Sequence, residues 1–168
     1  MPGEGDTGLL GEPEFELARR LIAEYAGIQL GPHKRFMVHK RLTRRLRALG
    51  IVSFSDYLNQ VQAEPAGERE VFVNALTTNL TAFFREPHHF ELLRQRAQAH
   101  ARTQARPMRV WCTACSTGEE AWSVAMVLRE PGCRAEVLAT DIDTDALDTA
   151  AAAAYPMDRA QALAPEQL

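Results

Sequence analysis

Met108-Arg-Val-Trp-Cys-Thr-Ala-Cys-Ser-Thr-Gly-Glu-Glu120 is the stretch on which the reading of this chain turns. Met108 to Cys112 is a β-like run, entered from Arg106-Pro107. Thr113 to Gly118 is a turn of small residues, and an amphipathic helical pattern follows from Glu119 to about Arg129, where Pro131-Gly132 ends it. Ala135-Glu-Val-Leu-Ala-Thr-Asp141 reads as a second strand, and Asp143 caps an Ala-rich helix reaching about Ala154. The order β-α-β-α is the opening of a parallel α/β sheet.

Upstream of residue 105 the periodicity is helical throughout. Phe15, Leu17, Leu21, Ile22 and Tyr25 form one apolar stripe, stopped at Gly27. A second helix opens at Pro32 and runs to Leu49, with Gly50 after it. Val38, Leu42, Leu46 and Leu49 share one arc of that helix. Lys40, Arg44 and Arg47 take the opposite arc, while Arg41 and Arg45 lie on a flank, Arg45 close to the apolar edge. A third helix starts at Ser53 or Ser55 with Phe54, Tyr57, Leu58 and Val61 inward, and Pro65-Ala-Gly67 breaks it. A fourth starts near Glu68 and a fifth near Pro87, separated by the small polar run Thr77 to Thr81. The fold class is therefore α plus α/β. Residues 1–12 are expected to be a flexible lead, 13–86 a helical domain, 87–107 a linking helix and connector, and 108–168 a partial Rossmann-like domain.

With 168 residues the chain is one domain or two small ones. It is 46% hydrophobic and 24% charged, which argues against a disordered chain. No apolar run approaches the length of a membrane span, and Met1 to Gly11 lacks the marks of a secretory signal. Three cysteines suit a reducing cytoplasm better than a disulfide framework. The net charge of −3 hides a strong asymmetry, because the seven basic residues between Glu24 and Asp56 have no acidic neighbour in sequence. The rest of the chain holds twelve basic against twenty-two acidic residues. A basic patch on an acidic body points to an acidic partner surface. Nucleic-acid binding would require a basic balance over the whole domain, which is absent.

Three features could carry chemistry. The turn before Glu119 lets a ligand approach the backbone closely at a helix N-terminus, although Glu119 and Glu120 would repel a phosphate and favour a cationic ligand. The same two acids also complement the helix dipole without any ligand. Asp141 closes the second strand, 23 residues after Gly118, where doubly wound folds place the acid that binds ribose hydroxyls. It could equally cap a helix, but Asp143 or Thr144 can do that alone. Cys112 and Cys115 lack a second ligand pair for zinc, and adjacent His88 and His89 splay apart on a helix, so neither forms a metal site.

The third feature is the TTNLTAFFRE-x-HHF run over 77–90. Together with Cys115-Ser-Thr-Gly-Glu-Glu120, Ala139-Thr-Asp-Ile-Asp-Thr144, Ala26-Gly-Ile28 and Arg44-Arg-Leu-Arg-Ala-Leu-Gly50, it resembles the CheR-type chemotaxis receptor methyltransferases. These enzymes methylate glutamate side chains of chemoreceptors with S-adenosyl-L-methionine. The resemblance implies a helical domain followed by a Rossmann-like methyltransferase domain. It implies cofactor contacts at Asn79, Thr81, Arg85, Gly118, Glu119 and Asp141, with Arg85 also suited to hold a carboxylate in catalysis. It further implies receptor contacts at Lys40, Arg41, Arg44, Arg45 and Arg47. An ordinary surface salt bridge of Arg85 with Glu86 or Glu91 is the competing reading. Ala121-Trp122 departs from the family's Pro-Tyr, and the chain stops at Leu168 where the family continues through further strands. An incomplete enzyme is therefore expected, with a free edge of the first strand beside Val110 and Trp111. The alternative is a non-catalytic receptor-binding module with a vestigial cofactor half-site.

Overall fold

The structure is a computed structural model in which residues 9–63, 67–160 and 163 are described. The chain divides into two compact units, one ending at Thr78 and the other starting at Asn79. In the first, α1 (Glu12–Ala26), α2 (Arg35–Leu49), α3 (Phe54–Ala63) and α4 (Gly67–Leu76) enclose one apolar core. The stripes read from the sequence face inward, except Leu49 at the end of α2, which is exposed: Phe15 and Ile22 of α1, Val38, Leu42 and Leu46 of α2, Phe54, Tyr57, Leu58 and Val61 of α3, and Phe72 of α4 are all buried. A 3₁₀ turn, Pro32–Lys34, leads into α2, so the proline starts a tight turn before the α-helix proper. Ser53 caps α3, its hydroxyl accepting the Asp56 N–H at 3.2 Å. The break expected at Pro65 lies outside the described residues.

Buried within this unit, Glu68 receives two guanidinium bonds from Arg45, at 2.9 and 2.5 Å. The guanidinium holds the Glu68 carboxyl below its ordinary value, and Glu68 in turn raises Arg45. Burial pushes the neighbouring Tyr57 phenol far above its ordinary range.

The second unit holds α5 (Pro87–Thr103), β1 (Met108–Cys112), α6 (Glu119–Arg129), β2 (Ala135–Ala139) and α7 (Thr144–Ala152). The strands pair in parallel, with Met108 opposite Ala135 and Cys112 opposite Ala139. Such pairing needs a crossover, which α6 supplies. This is a partial Rossmann-like sheet. Cys112, Cys115, Val127 and Leu128 form its core with Phe90 and Ala97 of α5, and Val110 and Val137 pack against them. On the other face of the sheet Trp111 lies opposite Leu138, and these side chains are 64% and 58% exposed. Among the described residues β1 pairs with β2 alone, so its other edge is open, as expected. Alternation along the strand turns Val110 into the helical layer and leaves Trp111 on a bare face.

Residues 79–86, which the sequence reading joins to the helical domain, belong to the second unit. The Phe84 N–H donates to Ser123 Oγ at 3.0 Å, and the Phe83 and Phe84 rings meet Tyr155 and Phe90 edge-on. No helix among the described residues is long and apolar enough to cross a membrane.

Candidate functional site

Two loops meet at the C-terminal ends of the parallel strands, the place where open α/β sheets bind ligands. The β1–α6 turn is fixed to β2 by the Asp141 carboxylate. Its Oδ2 accepts the Ser116 N–H at 2.7 Å, and its Oδ1 accepts the Asp143 N–H at 3.0 Å. Asp141 is half-buried and not used as the helix cap. That role falls to Asp143, whose side chain accepts the Ala146 N–H at 3.1 Å at the start of α7. Each Asp141 oxygen keeps lone-pair capacity for a further donor. Asn79 then ties the two loops together, donating to Asp143 Oδ2 at 2.6 Å while its carbonyl oxygen accepts the Ser116 hydroxyl at 3.2 Å. Both ends of the Asn79 amide are therefore engaged within the protein.

Glu119 is almost sealed from solvent, at 1% exposure. Its Oε2 accepts the Thr117 hydroxyl at 2.6 Å and its Oε1 accepts Arg159 Nη1 at 2.8 Å. The Tyr155 hydroxyl donates to the Thr117 carbonyl at 2.7 Å, so the chain beyond α7 folds back over the turn. Gly118 sits beneath it with φ +97°, and a Cβ there would stand 2.7 Å from both Ala150 Cβ and Tyr155 Oη. The small residue is required by the chain's own close approach as well as by its left-handed backbone. Burial, followed by the Glu119 charge, raises the Tyr155 phenol above its ordinary value.

The TTNLTAFFRE loop carries Thr81, which is half-buried, and Arg85, which is exposed. Arg85 donates through Nη1 to the Leu80 carbonyl at 2.8 Å. The surface bridges proposed as its alternative role do not form among the described residues, since Glu86 faces His88 and Glu91 pairs with Arg94. Phe84 and Glu86 are non-glycine residues with φ of 52° and 57°. Such backbone costs about 1 kcal/mol per residue and persists only where packing dictates it. The buried Phe83 provides that packing.

In the helical unit the basic residues of α2 separate into two groups. Arg45 is engaged by Glu68, and Arg41 donates to the Thr77 carbonyl and, at 3.3 Å, to the Thr78 hydroxyl. Lys40, Arg44 and Arg47 remain exposed and line a shallow groove with Phe36, His39 and Thr43. Phe36 is 77% exposed. The three thiols are free and buried. Burial, with Glu120 adding to it, pushes Cys112 up to about 11, and burial likewise raises Cys115. Among the described residues no group of three metal-ligating side chains converges.

Of the residues gathered here, sequence reading names Asp141, Glu119 and Gly118 but not Ser116, Tyr155 or Arg159. A hydroxyl in a small-residue turn carries no distinctive signal. Arg159 is 40 residues from Glu119, and only the return of the chain after α7 brings them together.

A parallel sheet with an acid pinned over a small-residue turn defines the first half of a Rossmann-like nucleoside-cofactor fold. Comparison with known proteins makes the class specific. Residues 79–168 match the family model "CheR methyltransferase, SAM binding domain", and residues 13–77 match "CheR methyltransferase, all-alpha domain". The chain belongs to the CheR methyltransferase family. It is 47% identical over 165 residues to the chemotaxis protein methyltransferase of Escherichia coli (strain K12), which covers 95% of this chain and 56% of that protein. The Salmonella typhimurium protein of the same description is 46% identical over 165 residues, with the same coverage. Chemotaxis protein methyltransferase 2 of Pseudomonas aeruginosa is 45% identical over 150 residues, covering 87% of this chain and 53% of the relative. The chain thus spans about half the length of these relatives. The cofactor is S-adenosylmethionine, and the donor set fits it: Asp141 retains acceptor capacity for a ribose diol, and Arg159 and Glu119 form an ion pair beside the same turn.

Proposed function

We propose that this chain supplies the cofactor-binding half-site and the receptor-docking helix of a cytoplasmic protein-glutamate O-methyltransferase acting on chemoreceptors. The observation that carries the reading is Asp141, held by two backbone N–H groups beside the Ser116 turn with acceptor capacity remaining. S-adenosylmethionine, when bound, supplies a methyl group on an electrophilic sulfonium. A glutamate carboxylate is ionised at neutral pH and acts as its own nucleophile, so no protein base is required.

The protein's work is then positioning. Asp141 accepts from the ribose hydroxyls. Asn79 and Ser116 hold the two loops at a fixed separation. Thr81 and Gly118 shape the loop and turn that border the cofactor, and Glu119 holds the Thr117 hydroxyl and Arg159 in place on its amino-acid side. Arg85, exposed and held at one nitrogen, presents the rest of its planar fork to the substrate carboxylate. Lys40, Arg44 and Arg47 form the charged docking face for an acidic receptor helix, with Phe36 as its apolar contact. Arg41 and Arg45 support that face from within.

Titration calorimetry of the 168-residue chain with S-adenosylhomocysteine tests the reading. Binding is expected, and Asp141→Ala is expected to weaken it at least tenfold, about 1.4 kcal/mol. An intact chain with no measurable binding would instead favour the receptor-binding module without catalysis. Association with a receptor fragment that does not change with salt would remove the docking role of α2.

A further inference from the structure

We propose that Arg159 is a further cofactor-binding residue, whose guanidinium takes the carboxylate at the amino-acid end of S-adenosylmethionine. The proposal rests on the cofactor reading above and concerns the end of the cofactor opposite its base.

The geometry separates the two sides of the guanidinium. Nη1 is fully engaged, at 2.8 Å from Glu119 Oε1 and 3.3 Å from the Thr117 hydroxyl. Nε and Nη2 make no hydrogen bond among the described residues, and the Arg159 side chain is half-exposed against a sealed Glu119. An arginine has five N–H donors in one plane, and the Nε–Nη2 edge is the side-on fork that grips a carboxylate with two parallel bonds. Here that edge is the one directed away from the buried partner.

The guanidinium is also held in advance. Tyr155 is anchored to the Thr117 carbonyl at 2.7 Å, and Ala160 is buried. Arg159 therefore stands between two fixed points, with its far end clamped by Glu119. Less rotamer freedom remains to be lost on binding than for a free surface arginine.

Position within the turn supports the same ligand. Ser116 faces Asp141, and the next residue, Thr117, faces Arg159. A ribose at Asp141 and an amino-acid end at Arg159 would lie on successive residues of one turn, as they lie at successive parts of one molecule. The amino-acid end carries a carboxylate, and of the Arg159–Glu119 pair only the half-exposed Arg159 can reach it, since Glu119 is sealed with both oxygens engaged.

Three ligands separate the possibilities in calorimetry of the full 168-residue chain: S-adenosylhomocysteine, its decarboxylated amine, and 5′-methylthioadenosine. Arg159→Ala is expected to weaken S-adenosylhomocysteine about tenfold, the scale of a charge-assisted hydrogen bond. Affinity for the two ligands without a carboxylate is expected to stay within about twofold, and Arg159→Lys to recover part of the loss. Equal weakening of all three ligands would mean that Arg159 only supports the fold. Tighter binding of S-adenosylhomocysteine to Arg159→Ala would mean that Arg159 plugs the site. Either result overturns the proposal, as does an unchanged affinity. Wild-type protein that binds none of the three would overturn the cofactor reading itself.

Discussion

The helical unit and the sheet unit solve the same burial problem to different degrees. Each helix of the first unit has one apolar stripe, and its neighbours cover it; Phe15, Ile22, Leu42, Tyr57 and Phe72 are all at or below 1% exposure. The sheet unit is built from strands with two faces. The helical layer covers Val110 and Val137, while Trp111 and Leu138 stay largely in solvent. A stripe needs one neighbour, but a parallel sheet needs a layer on each side. The two units therefore differ in where their stability can come from. The first draws on a closed core, and the second leans on specific polar ties such as Asn79 to Asp143 and Glu119 to Arg159.

The sharpest way to break this comparison is through the closed core. Phe72→Ala is expected to cost about 3–5 kcal/mol, the range for removing a fully buried aromatic ring, and chemical denaturation followed by circular dichroism measures it. Hydrogen exchange should then quicken across α1 to α4 while β1 is unaffected. Loss of protection in both units together would show that they unfold as one.

Next in size is the buried pair of the helical unit. Arg45→Ala leaves Glu68 buried without its partner, and about 2–3 kcal/mol is expected, reduced from the fully buried case because Arg45 is partly exposed. The sign with pH follows from the lowered Glu68 carboxyl. Its stabilisation is present above the ordinary value of 4.5 and lost as pH falls through the lower folded value. Denaturation midpoints at pH 7 and pH 3 should differ in the wild type, and less in Glu68→Gln. An identical difference in both would place the acid sensitivity elsewhere.

Gly118→Ala probes the sheet unit at its tightest point. The new Cβ would meet Ala150 and Tyr155, on a backbone that side chains rarely adopt. A cost of about 2 kcal/mol is expected from the left-handed strain together with displacement of Tyr155. Thermal denaturation measures it, and a change under about 0.5 kcal/mol would mean that the segment after α7 yields freely.

The difference between the units also governs how much of each was legible in the sequence. Helical stripes were readable because one period names both the element and its buried face; Phe54, Tyr57, Leu58 and Val61 all point inward as their spacing requires. The sequence reading put Arg45 on the docking surface, and its engagement by Glu68, 23 residues away, carries no local signal. In the sheet unit the motif turn and Asp141 were legible from their order along the chain. The ties that fix them were not, because Asn79 reaches Asp143 across 64 residues and Arg159 reaches Glu119 across 40. The two phenylalanines of the TTNLTAFFRE run were read only as part of a family pattern. Their physical role, anchoring a strained loop through Tyr155 and Phe90, depends on residues far along the chain.

The smallest expected effect on stability is the most direct test of the bare face. Trp111 and Leu138 sit opposite one another in register, each more than half exposed. A side chain that folding leaves in water contributes little to the folding balance, so Trp111→Thr with Leu138→Thr should change stability by less than about 0.5 kcal/mol. Threonine is itself β-branched and suits a strand, so strand propensity does not confound the result. The one specific bond at risk, from Trp111 Nε1 to the Thr140 hydroxyl at 3.0 Å, is solvent-exposed and offsets little. Association should respond more than stability does, because adjacent exposed apolar residues on a two-stranded sheet are a surface for contact between copies. Light scattering over a concentration series should show the double variant as less self-associating than the wild type. A loss above about 1.5 kcal/mol would show instead that this face is covered in solution and that the sheet unit closes its core as fully as the helical one.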